Sequence, residues 1–113
     1  MKTSELIGPA LDWAVAKCEG HSPFFASGYI QLKNWIPSKP FTPSSDWSQG
    51  GPLIEQERIC VEFDRHENGE AWSAAYDNET GPWRFGTTPL IAAMRCYVAS
   101  KLGDEIDIPE ELE

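Results

Sequence analysis

The sequence predicts an α+β domain: a small antiparallel sheet of about three strands packed with two amphipathic helices. Two patterns lead there. The segments RICVEFD and AWSAAYD flank RHENGE, in which Asn68-Gly69 suits the two loop positions of a type I′ turn. Elsewhere, two stretches carry apolar residues at helical spacing, each opened by a proline and closed by a glycine. A chain of 113 residues suits one domain that can bury a core without covalent staples. We expect that domain at 1–103, with an acidic tail at 104–113.

The first helix is expected at about 9–19. Pro9 fits the first helical position and Gly20 the position just past the end. Leu11, Ala14, Val15 and Cys18 fall on one face, and Trp13 lies off it. A single strand is expected near 29–36, where Ile30, Leu32 and Ile36 share one face and Tyr29, Gln31 and Trp35 the other. Residues 37–52 are rich in Pro, Ser and Gly, and prolines remove donors and fix φ, so this stretch reads as a long structured loop. Leu53, Ile54 and Gln56 are expected to add a short helical turn.

The hairpin is expected over 59–64 and 71–77. A two-residue Asn68-Gly69 turn would pair Arg65 with Trp72, Phe63 with Ala74 and Val61 with Tyr76. Val61, Phe63, Trp72, Ala74 and Tyr76 then share a face, and Arg65 could sit over the Trp72 ring. The last helix is expected at about 89–102, with Thr88 as N-cap, Pro89 at the first position and Gly103 at the end. Its stripe is Ile91, Met94, Val98 and Leu102, widened by Leu90, Ala93 and Tyr97.

Charge and cysteine usage exclude several classes. The net charge is −9, and six acids but no base follow Gly103. An acidic surface disfavours phosphate-backbone contact, so direct nucleic-acid binding is not expected. Three widely spaced cysteines, Cys18, Cys60 and Cys96, imply no disulfide framework and fit a reducing cytoplasm. No apolar run approaches membrane-spanning length, and the first residues carry no signal-like apolar stretch, so we expect neither a membrane segment nor a secretion signal.

No catalytic set is complete. Cys18 with His21 and Cys60 with His66 do not match a zinc knuckle, so no metal or cofactor is expected. Cys96 lies inside a helix and lacks the helix N-terminus or cationic pocket that lowers a thiol pKa. Glu62 and Asp64 share a strand face, as any alternating residues do. Two loops stand out instead. In SSDWSQGGP, Ser45, Asp46 and Gln49 offer polar groups, Trp47 a stacking surface, and Gly50 and Gly51 room for a close backbone approach. Each also has a structural reading, with Trp47 plugging the core and Asp46 capping a turn. Trp83-Arg84-Phe85, just before a helix start, offers an aromatic patch and a cation for an anion.

FTPSSDWSQGGPLIEQERI, TTPLIAAMRCYVASKLGDEIDIPEEL and GPALDWAVAKCEG together resemble the NinX-like family of phage and prophage proteins. The resemblance implies an origin in a temperate phage or prophage and expression in the cytoplasm of a bacterial host. It implies no catalytic residues, because the family is named for a gene position.

These readings point to a non-enzymatic phage accessory protein, a small binding module acting on a host protein. One alternative is an anti-defence protein that sequesters a small nucleotide-like signal. Another is an acidic mimic of nucleic acid that engages a basic host protein. The candidate contact residues are Ser45, Asp46, Trp47, Gln49, Gly50, Gly51, Trp83 and Arg84. Covering the outer sheet face at Tyr29 and Trp35 would favour a homodimer.

Overall fold

A computed structural model describes residues 1–35, 39–63, 69–77 and 81–113. Its elements are α1 (Gly8–Cys18), β1 (Pro23–Ala26), β2 (Tyr29–Leu32), α2 (Trp47–Glu57), β3 (Cys60–Phe63), β4 (Trp72–Ala75), β5 (Arg84–Gly86) and α3 (Pro89–Leu102). Short 3-10 turns at Thr3–Glu5 and Glu110–Leu112 lie near the two ends. The strands form two antiparallel sheets, β1-β2 and β3-β4-β5. The expected α+β class holds, with a third helix and a second sheet added to it.

Helix α3 occupies the centre. It packs on all three strands of the larger sheet, on α1 and α2, and on the N-terminal turn. Leu90 and every residue from Ala92 to Ala99 are buried. The one-sided stripe expected from the sequence is therefore a helix enclosed on nearly all sides, while Leu102, at its end, is exposed. Thr88 caps it as expected, accepting from the Ile91 amide at 3.1 Å.

Helix α1 follows its sequence pattern. Leu11, Ala14 and Val15 are fully buried. Gly20 adopts φ +79°, its amide donates to Lys17 and that of His21 donates to Ala16, the paired bonds of a glycine helix stop. The single strand expected at 29–36 is instead the second half of a hairpin that ends at Leu32. Ser27 and Gly28, with φ 57° and 83°, form the two-residue turn, and Ala26 pairs with Tyr29. Ile30 and Leu32 are buried and Tyr29 is exposed, as the alternation predicts. Ile36 lies outside the described residues.

Residues 47–52 correct the expected loop. They belong to α2, although Pro52 lies inside it and forfeits one backbone bond. Tertiary packing overrides the local signal here. An added Cβ on Gly50 would sit 2.3 Å from the Pro43 carbonyl oxygen and 2.6 Å from Leu90 Cδ2. Glycine lets α2 approach both, and Leu53 is buried one turn on.

The hairpin exists with a different register. Phe63 pairs with Trp72, Val61 with Ala74 and Cys60 with Ala75. Strand faces repeat every second residue, so this shift of two keeps the paired residues of β3 and β4 on their expected faces. Asn68, one of the two expected turn residues, lies outside the described residues. Trp72 meets the Phe63 ring edge-on at 5.2 Å, and Arg65, its expected partner, lies outside the described residues. Strand β5, read as loop from the sequence, completes this sheet with Trp72 opposite Gly86 and Ala74 opposite Arg84.

The acidic tail is packed against the chain's first residues. The Met1 amino group donates to the Ile106 carbonyl at 2.9 Å, the Ile106 amide donates back to Met1 at 3.0 Å, and the Thr3 amide donates to Asp104 at 2.8 Å. Ile108 is buried, while all six acids of the tail are exposed. The boundary expected at Gly103 therefore divides a sequence pattern, while the packing continues across it.

Two outcomes test this packing. Gly50→Ala should lower stability by about 1–3 kcal/mol, from the overpacking an inserted methyl causes. Gly51→Ala should be neutral or stabilising by up to about 1 kcal/mol, since its Cβ meets only Trp47 Cε3 at 3.7 Å in a helix that favours alanine. Denaturant titration of both variants checks the contrast. Truncation after Gly103 should lower the thermal midpoint through loss of the Ile108 burial and the Met1–Ile106 pairing, read by circular dichroism.

Candidate functional site

The two loops singled out in the sequence line separate cavities. Ser45 and Trp47 line one of about 250 Å³, together with Ser44 and the first turn of α3 from Thr88 to Ile91. Trp83 and Arg84 line another of about 240 Å³ with Thr3, Ser4, Glu70, Phe85 and Arg95. The structure does not bring the candidate set together.

In the first region the polar candidates are occupied by their own loop. Asp46 is the N-cap of α2, accepting from the Ser48 amide at 2.9 Å and the Ser48 hydroxyl at 2.7 Å. These bonds, with one from Gln49, hold its carboxyl below the ordinary range. The Gln49 side-chain amide donates to the Pro40 carbonyl and Asp46, and its oxygen accepts from the Thr42 amide at 2.9 Å. Gly50 serves the helix contact described above. Trp47 is left over: its side chain does not plug the core, and the residue is 57% exposed. A network of short-range hydrogen bonds thus holds one indole out in water beside the α3 N-terminus.

A buried acid supports this loop from beneath. Asp12 of α1 accepts from the Ser44 amide at 2.9 Å. Burial pushes its carboxyl up to about 6, against the opposing effect of the Ser44 hydrogen bonds. The sequence reading passed over Asp12, whose only signal was an acid between Leu11 and the other buried positions of α1.

The second region is built around Arg95, also missed. This residue is 6% exposed in the middle of α3. Its Nε donates to the Leu6 carbonyl at 2.8 Å, and its Nη1 to the Phe85 carbonyl at 2.8 Å and to the Glu70 carboxylate. An arginine between Met94 and Cys96, within the apolar run from Leu90 to Ala99, was the available signal. Arg84 extends from β5 to Asp104 at 3.0 Å, and the Asp104 side chain is 79% exposed. Lys2, Ser4, Arg84, Asp104 and Glu105 surround a smaller adjoining cavity of about 170 Å³.

Two of the three cysteines are held as thiols. Burial pushes the thiols of Cys18 and Cys96 up to about 11, away from the reactive thiolate. No three His, Cys, Asp or Glu residues gather around a common point among the described residues; His66, part of the Cys60–His66 pair, lies outside them. Among the described residues no helix is long and apolar enough to cross a membrane.

A family model described as "Bacteriophage P22, NinX" matches residues 2–101. The chain belongs to this phage family. No curated protein matches it. The matched span takes in both cavities' aromatic and arginine residues and ends at residue 101 of this NinX-family chain.

Asp12 generates a pH prediction. Its pKa is raised by folding, so ionisation costs the folded state stability above about pH 6 and costs nothing below the unfolded value near 4. Asparagine keeps an oxygen for the Ser44 amide and removes the charge. Asp12→Asn should therefore gain up to roughly 3 kcal/mol over the parent at pH 8, at 1.36 kcal/mol per unit. That gain should vanish by about pH 4, as denaturation curves at both pH values would show.

Proposed function

We propose that this phage accessory protein is a non-enzymatic binding module that acts on a host protein in the bacterial cytoplasm. One observation carries the reading: Trp47 stands 57% exposed on a rigid platform whose polar groups are already hydrogen-bonded. Burying a preordered indole against a partner releases water from a large apolar surface at little entropic cost, which is why tryptophan dominates interface energetics. The neighbouring Ser45, Pro89 and Ile91 would form the rim of such a contact.

The packed tail supports a second reading, an acidic mimic of nucleic acid. Asp104, Glu105, Asp107, Glu110, Glu111 and Glu113 are all exposed, while Ile106 and Leu112 pack against the core. A fixed row of carboxylates would engage a basic protein with strong salt dependence.

Capture from host lysate with the parent and with Trp47→Ala separates these. The first reading expects a partner retained by the parent at moderate salt and weakened by roughly tenfold or more in Trp47→Ala, the scale of an interface hot spot. A partner insensitive to Trp47→Ala but released by salt would replace it with the mimic. Circular dichroism should confirm that the variant stays folded, because Trp47 is mostly outside the core.

A further inference from the structure

We propose that the cleft between the N-terminal turn and β5 binds a nucleoside phosphate, its phosphate between Arg95 and Arg84 and its base on Trp83. This site is independent of the Trp47 platform and shares no lining residue with it.

Arg95 supplies the strongest reason. It is nine-tenths buried, yet its hydrogen bonds use only Nε and Nη1. Among the described residues Nη2 has no partner, and Arg95 lines the cavity. A buried guanidinium nitrogen without an acceptor is costly, and an anion in the cleft would satisfy it. Three bonds hold the guanidinium still, so little ordering remains to be done on binding.

Arg84 supplies the second cation and lies in both adjoining cavities. Its partner, Asp104, is an exposed carboxylate, and exposed ion pairs contribute only about 0–1 kcal/mol. A phosphate bearing more charge and more acceptor oxygens can displace it. Ser4 lines both cavities and has a hydroxyl to donate. Lys2 stands in the smaller one, opposite the acids Asp104 and Glu105.

The rest of the wall argues for an aromatic ligand over a bare ion. Trp83 and Phe85 line the larger cavity, and an indole face stacks on any nucleobase. Glu70, anchored to Arg95, presents a carboxylate that can accept from an exocyclic amine. The cleft therefore mixes cations, one fixed acid and aromatic surface. Together the two cavities, about 240 and 170 Å³, reach the size of a small-molecule site.

The test is calorimetric titration of the full chain with AMP, GMP, CMP, UMP and inorganic phosphate. At least one nucleotide should bind saturably and more tightly than phosphate. Arg84→Ala should weaken it by roughly tenfold or more, the loss of a charge-assisted hydrogen bond. Asp104→Asn should tighten it by removing the competing carboxylate. Trp83→Ala should erase the preference over phosphate, and Trp47→Ala should change nothing. Absence of saturable binding by all five probes overturns the proposal. So does binding indifferent to Arg84→Ala, or phosphate binding as tight as every nucleotide. Arg84 and Asp104 lie at the rim, so their variants test the site without disturbing the buried Arg95.

Discussion

The guanidinium of Arg95 ties together three separate parts of the chain. From the middle of α3 it reaches the Leu6 carbonyl before α1, the Phe85 carbonyl in β5 and the Glu70 carboxylate before β4. Removing it would take one charge-assisted hydrogen bond from each of these three groups, and hydrogen bonds to charged groups contribute about 1.5–3 kcal/mol each. Its charge makes the buried helix specific. Apolar packing alone tolerates small slides and rotations, whereas three directed bonds admit one placement of α3 against the sheet.

Close backbone approach is the second constraint on that helix. A Cβ on Gly86 would sit 2.6 Å from the Ala92 amide nitrogen, and one on Gly50 would reach Leu90. Glycines on β5 and α2 thus let both neighbours touch the first turns of α3. At the other end of the helix the contacts are polar. Tyr97 donates to Glu19 after α1, and Ser100 donates to the Tyr76 hydroxyl, which in turn donates to Glu57 of α2 at 3.1 Å. One end of α3 is held by fit and the other by side-chain hydrogen bonds among three elements.

The two candidate surfaces follow from this frame. Packing α2 onto α3 through Gly50 leaves Trp47, at the start of α2, exposed beside the α3 N-terminus. Packing β5 onto α3 through Gly86 places Trp83, Arg84 and Phe85 at the mouth of the cleft over Arg95. Trp47 opens α2, and Arg84 and Phe85 lie in β5, regular elements that hold side chains more steadily than free loops do.

Much was legible in local signals. The α1 and α3 boundaries followed from Pro9, Gly20, Thr88 and Gly103, because caps and stops are set by residues within one turn. The hairpin faces followed from alternation, though its register did not, since a shift of two leaves the pattern unchanged. Of the flagged loops, Trp47, Trp83 and Arg84 remain at open surfaces, while Asp46, Gln49 and Gly50 serve the fold. The sequence by itself determined the α+β class and the faces of most elements, carried by short-range periodicity, while its motif stretches carried the family resemblance. Only the tertiary structure decided that 47–57 is a helix despite Pro52, that the acidic tail pairs with Met1, and that Arg95 anchors a cleft. Each of these depends on residues from distant segments meeting, where the free energy of the contact outweighs what any local stretch prefers.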